Sequence, residues 1–202
     1  MNALPPGETL FVTFRLAGSL RHAMGRQLHA DFQTNMELSR AGGLTDEQQQ
    51  LAHQRVQKRF FAQLDAELDR AEVGPTYLEK EKLAEIVAGE LLMLEEQGFW
   101  ALAFAVLPNH VHAVLHLPAG SGLSIYKSLQ LLHQRTATQC RRHLRHQLPP
   151  EADFWQIGSY EYPVQDADEL TRILAYVQHH AQRLRLPPRF HDWPYVYEMV
   201  KL

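Results

Sequence analysis

The sequence predicts an α+β fold: a ferredoxin-like split β-α-β antiparallel sheet with helices on one face and a helical insertion after the first strand. Three observations carry this. Short runs rich in β-branched and aromatic residues alternate with longer amphipathic stretches in the order β, α, β, β, α, β, α. Two of the strand-like runs are separated only by Pro108-Asn109, a connection short enough to call for antiparallel pairing. Extra helical material stands between the first strand and the helix that should cross to the second. At 202 residues with 45% hydrophobic side chains, the chain can bury a sizeable core. Residues 1–202 read as one domain, with the insertion at about 24–75.

Residues 9–16 (Thr-Leu-Phe-Val-Thr-Phe-Arg-Leu) form the first strand, ended by Gly18 and Ser19. A helix is expected over 24–40, broken by Gly42-Gly43. Thr45 suits the N-cap of the next helix, with Asp46, Glu47 and Gln48 in the first turn, running to about Ala71. Gly74-Pro75-Thr76 is a turn. Residues 78–97 make another helix, with apolar faces from Ile86, Val87, Leu91, Leu92 and Leu94 and with Gly98 as its C-cap. Strands over 99–106 and 110–117 follow, then a loop from Pro118 to Gly122. A helix over 123–147 carries a basic face and stops at Pro149-Pro150. Residues 153–164 read as an aromatic strand, irregular near Gly158, with Pro163 at an edge or end. The last helix runs from Asp166 to about Arg185, with Asp166, Asp168 and Glu169 in its first turn, and Pro187-Pro188 ends it. The aromatic tail over 191–197 is expected to dock on the body.

Composition excludes several classes. The single cysteine, Cys140, rules out an internal disulfide and a cysteine-built zinc site, and reads as a small apolar helix residue. No apolar run approaches the ~20 residues of a membrane span, and no basic-then-apolar signal pattern opens the chain. A cytoplasmic protein without a membrane partner is the expectation. The net charge of −3 argues against a generally basic nucleic-acid binder, but it hides an asymmetry. Residues 1–97 have a net charge of −5 and residues 98–202 a net of +2. Nine of the twelve histidines also lie after residue 97. Partner-binding chemistry is therefore expected in the second half.

The sharpest motif there is Leu107-Pro108-Asn109-His110-Val111-His112. On a strand, His110 and His112 share one face and Val111 takes the other. Two neutral imidazoles side by side can hold a divalent metal, although two histidines at this spacing also occur as ordinary strand residues. His116 shares the face but sits farther along and is not read as a ligand. In the last helix, Tyr176 and His180 are four apart and neighbours on one face. A tyrosine hydroxyl can attack phosphorus when a nearby cation stabilises the phenolate and polarises the phosphate. Taken singly, Tyr176 also suits a tyrosine packed on the core, and His180 an exposed polar residue.

Taken together, these segments resemble the single-tyrosine HUH transposases, most closely the branch associated with repetitive extragenic palindromes (REP). The resemblance rests on Phe11-Val12-Thr13-Phe14-Arg15-Leu16-Ala17-Gly18-Ser19-Leu20, on Val106-Leu107-Pro108-Asn109-His110-Val111-His112, and on Phe154-Trp155-Gln156. It also rests on Asp168-Glu169-Leu170, Ile173-Leu174-Ala175-Tyr176-Val177 and Asp192-Trp193-Pro194-Tyr195. It covers most of the chain in order, chiefly omitting residues 45–75, and the Pro-Asn-His-Val-His string is its most specific part. It implies binding of single-stranded DNA folded as a hairpin, and Mg²⁺ or Mn²⁺ held by His110, His112 and His180. It further implies attack by Tyr176 on the scissile phosphate, giving a 5′-phosphotyrosine link and a free 3′-OH, and joining by the reverse step.

The chain departs from that pattern at the third ligand. His180 stands where the family usually has Asn or Gln, and imidazole suits Mn²⁺ better than Mg²⁺. The family's usual Asn-Pro and later Lys-Ala-Gly are replaced by His180-Ala181-Gln182-Arg183-Leu184, and Gln165 stands where an Arg commonly precedes the helix. Lys127, Arg135, Arg141, Arg142 and Arg145, with no acid among residues 123–147, mark a DNA-contacting helix whose phosphate contacts would weaken with salt. A solvated basic face is the plain alternative. Trp155, Tyr160 and Tyr162 could stack unpaired bases or serve the core. The acidic helical segment 45–97 reads as structural, with a masking or regulatory role left open. Three functions follow: a DNA nicking and joining enzyme, a non-catalytic hairpin-binding protein on the same scaffold, and a metallohydrolase that leaves Tyr176 without a role. A homodimer is possible, with Tyr176 acting in cis or on the partner's histidines.

Overall fold

The structure, a computed structural model, describes residues 6–40, 43–122 and 124–199. Gly42 and Leu123, expected in a chain break and at a helix start, lie outside the described residues. The elements are β1 (Gly7–Arg15), α1 (His22–Arg40), α2 (Asp46–Arg70), α3 (Glu81–Leu92), β2 (Trp100–Val106), β3 (His110–Pro118), α4 (Ile125–His143), β4 (Tyr160–Pro163), α5 (Ala167–Arg183) and β5 (Val196–Glu198). Two compact units emerge, one of residues 18–75 and one of residues 1–17 with 76–202.

The larger unit is built on a five-stranded antiparallel sheet ordered β4-β1-β3-β2-β5. The three-residue connection 107–109 pairs β2 with β3 antiparallel, as expected. β1 and β2 both run antiparallel to β3, so they run parallel to each other and need a crossover, which α3 provides. α4 serves in the same way between β3 and β4, with β1 between them. α3 and α4 pack together on one face, where Leu83, Val87, Leu91, Leu129 and Leu132 meet Val12, Phe14, Phe104, Val111, Ala113 and Leu115. Truncating any of the fully buried leucines here would cost about 2–5 kcal/mol.

The expectation of an α+β antiparallel sheet holds, and so does helix cover on one face for α3 and α4. α5 differs: it lies on the opposite face, where the Tyr176 ring is 6.2 Å from Phe11 and 5.6 Å from His112. Strand alternation is the reason. Phe11 and His112 point away from the side that buries Val12, Val111 and Ala113, so a helix packing on them must take the second face. Two further differences are local. The strand expected over 153–164 shortens to four residues, because Gly158 turns with φ of 84° and Trp155 bridges Leu16 separately. The tail docks, and does so as a strand: β5 pairs with β2, and the buried Tyr195 donates its hydroxyl to the Glu79 carbonyl at 2.9 Å.

The smaller unit is the α1–α2 pair, joined through contacts such as Phe32 against Phe60 at 4.8 Å. Thr45 caps α2 as expected: its hydroxyl accepts from the Gln48 amide at 3.3 Å while the Gln48 side chain accepts from the Thr45 amide at 3.0 Å. The unit's two ends lie side by side, since a Cβ built on Gly74 would stand 2.1 Å from the Gly18 carbonyl oxygen. No helix among the described residues is long and apolar enough to cross a membrane.

Candidate metal and nucleophile site

Alternation along β3 sends His110, His112, Val114 and His116 to the face that α5 covers. The helical period then places Tyr176 and His180 one turn apart, with ring centres 4.8 Å from each other. The two patterns converge. His180 lies 4.8 Å from His112 and 6.1 Å from His110 between ring centres, and His110 lies 4.7 Å from His112. One ring nitrogen from each of the three falls within 4.8 Å of the others, and all three residues are buried.

Each strand histidine is held from behind. Asn109 Oδ1 accepts from His110 Nδ1 at 2.6 Å, and Thr13 Oγ1 bonds His112 Nδ1 at 2.8 Å. With Nδ1 engaged, both rings turn Nε2 inward, and the two Nε2 atoms are 3.2 Å apart. Two nitrogens bound at about 2.1 Å to one cation lie about 3.0 Å apart in octahedral and about 3.4 Å in tetrahedral geometry. The observed spacing falls between them, so the His110 and His112 nitrogens could share one divalent transition metal, with His180 as the candidate third ligand. Hydrogen bonds to the outer ring nitrogen are also what orient metal-binding histidines generally.

Comparison with known proteins bears on the fold. No protein-family model and no curated protein sequence matches the chain. Among solved structures, a REP-associated tyrosine transposase bound to a REP hairpin is similar, with a TM-score of 0.50 at 13% identity, over 97% of this chain and 79% of that one. The chain shares the fold of that transposase. At this identity the likeness speaks for architecture, and the chemistry must be argued from the residues here.

The remaining residues singled out in the sequence fall in several places. His116 bonds Thr9 Oγ1 through Nδ1 at 2.9 Å, packs near Trp100, and stands outside the histidine cluster. Of the five cations on α4 and in the turn after it, two have internal partners. Arg141 donates to the Pro150 and Ala152 carbonyls, and Arg135 lies 3.7 Å from the Glu90 carboxylate. Lys127, Arg142 and Arg145 have no ion-pair partner among the described residues. Trp155 belongs to the core: its indole donates to Thr136 Oγ1 at 2.8 Å and its ring meets Phe14 and His133. Tyr162 is buried and donates to Glu169 Oε1 at 2.9 Å. Tyr160 packs edge-on to Phe11, and burial raises its pKa.

Three contributors were not read from the sequence. Asn109 reads as turn punctuation in the sequence, although its place next to His110 is a usable signal. Thr13 could not be found without the β1–β3 register that sets it opposite His112. Arg183, whose guanidinium carbon lies 5.0 Å over the Tyr176 ring, could have been found from its seven-residue spacing.

Proposed function

We propose that this chain is a metal-dependent single-stranded DNA endonuclease and strand transferase, transposase-like, that acts on hairpin-bearing DNA through Tyr176. One observation carries the proposal: the ring of a partly exposed tyrosine stands 5.6 Å from His112 and 4.8 Å from His180, beside a cluster of imidazole nitrogens spaced for a metal. A metallohydrolase using water would leave that tyrosine without a role. The hairpin partner is drawn from the fold likeness to a transposase bound to a REP hairpin. Lys127 and Arg142 of α4, with Arg145 in the turn just after it, are the cations without an ion-pair partner among the described residues and are available to such a hairpin.

The geometry supports a role for each residue. His110, His112 and His180 would hold Mn²⁺ or Mg²⁺, which when bound polarises the scissile phosphate and stabilises negative charge on it. Asn109 and Thr13 keep the strand imidazoles turned to that point. The Tyr176 oxygen attacks phosphorus, a bond to the phenolic oxygen forms, and the bond to the 3′ oxygen breaks. The phenol loses its proton and the departing 3′ oxygen gains one, leaving a 5′-phosphotyrosine and a free 3′-OH. Reversal with a different 3′-OH joins strands. Nucleophile and histidines converge within one chain, which supports action in cis.

The test is covalent capture. Incubation with hairpin-bearing single strands and Mn²⁺ should give a protein–DNA adduct that Tyr176→Phe abolishes. Hairpin binding with no adduct in Mg²⁺ or Mn²⁺ would reject the enzyme and leave a hairpin-binding protein on the same scaffold.

A further inference from the structure

α5 carries a second row of chemistry beside the nucleophile. Arg183 follows Tyr176 by seven residues, and its guanidinium carbon lies 5.0 Å over the tyrosine ring. Arg172 precedes Tyr176 by four residues. At 3.6 residues per turn, both positions fall within about 40° of the tyrosine's direction, at axial distances of about 6 Å and about 10 Å. Both arginines are exposed, and neither has an ion-pair partner among the described residues. Two of the three nearby acids are committed elsewhere, and the third, Asp168, is exposed four residues before Arg172 with no ion-pair partner among the described residues. Asp166 caps the helix by accepting from the Glu169 amide, and Glu169 accepts from Tyr162 and from the Gln165 amide. Arg183 therefore stands un-neutralised beside the tyrosine, and Arg172, with Asp168 one turn away, makes no ion pair among the described residues.

A guanidinium lying over an aromatic ring uses its face for that contact. Its N–H groups lie in its own plane and remain able to fork onto a phosphate. The α4 cations differ in position: α4 packs on the sheet face opposite α5, and two of its four Lys and Arg side chains are tied to the protein itself.

We infer that α5 is a phosphate-binding ridge, on which Arg183 holds the phosphodiester attacked by Tyr176 and Arg172 holds a neighbouring phosphate of the same unpaired strand. The axial step of about 6 Å from Tyr176 to Arg172 spans one to two nucleotides of a strand rising about 3.4 Å or more per nucleotide. The ligand is a single-stranded DNA backbone, recognised by charge and not by base. This inference rests on the phosphotyrosine reading above.

The experiment uses the full chain and a labelled oligonucleotide with one hairpin and a single-stranded flank. Binding is measured against salt in a Tyr176→Phe background, and adduct formation at saturating DNA is timed in the protein with Tyr176. Arg172→Ala and Arg183→Ala should each reduce the slope of log affinity against log salt by about 0.7, the value for one lost contact to a single strand. Lys82→Ala, which removes an equal charge from α3, should leave the slope unchanged. Arg183→Ala should also slow adduct formation at least tenfold, with Arg183→Lys recovering the slope but only part of the rate. A neutral methylphosphonate at the scissile position should erase the binding difference between the Arg183→Ala variant and its parent. Slopes that move no further than in Lys82→Ala, with the adduct intact, overturn the ridge and leave the phosphotyrosine reading standing. Arginine-dependent slopes without a Tyr176-dependent adduct do the reverse. Unchanged thermal melting of the exposed-site variants separates both outcomes from misfolding.

Discussion

Replacing Thr13 with valine asks whether the hydroxyl behind His112 belongs to the metal site. Valine keeps the shape of threonine, so the perturbation is the loss of one bond, Thr13 Oγ1 to His112 Nδ1 at 2.8 Å. Both residues are buried, and stranding a ring nitrogen there should cost about 1–3 kcal/mol of folding stability. Releasing the ring from its orientation should weaken metal binding about 10–100-fold. With Mn²⁺ at one hundred times the wild-type Kd, stabilisation by the metal of about 2.7 kcal/mol should fall to about 1.4 or about 0.4 kcal/mol. Denaturant unfolding with and without Mn²⁺ reads both quantities. The matched control is Thr9→Val, which removes the 2.9 Å bond to His116 on the same strand and face, outside the cluster. Both variants should lose stability in the absence of metal, and only Thr13→Val should lose metal affinity. Equal losses of affinity in the two, or none in Thr13→Val, would refute the assignment of His112 as a positioned ligand.

Two further outcomes are expected. His180→Asn replaces the imidazole with an oxygen donor, so the ratio of adduct formed in Mg²⁺ to that in Mn²⁺ should rise several-fold; an unchanged ratio would remove His180 from the metal site. His133 is the second. Burial against Phe14 and Trp155 lowers its pKa from 6.5 to about 4. The unfolded chain therefore binds the extra proton between those values, and stability present above pH 6.5 drains away as pH falls toward 4. The loss at about pH 4.5 should reach about 2 kcal/mol, and urea unfolding of His133→Leu should show a shallower decline over that window. Parallel curves for the two proteins would show that His133 is not buried neutral.

The parts of this protein that follow from bond geometry were legible in its sequence. Alternation along residues 110–116 put His110 and His112 on one face, and the helical period put His180 beside Tyr176. The Thr45 cap and the antiparallel turn at Pro108-Asn109 are local too, requiring only residues a few positions apart. Residues separated by half the chain were another matter. That Thr13 backs His112 depends on the β1–β3 register. That the histidine pair meets Tyr176 depends on α5 packing opposite α3 and α4. That Arg141 serves the 149–152 turn while Arg183 stands over the tyrosine depends on which carbonyls and rings the fold brings within reach. Local periodicity is set by the backbone itself, residue by residue. Register, docking face and the fate of a charge are settled only when distant segments compete to bury the same apolar surface, and that competition is won in three dimensions.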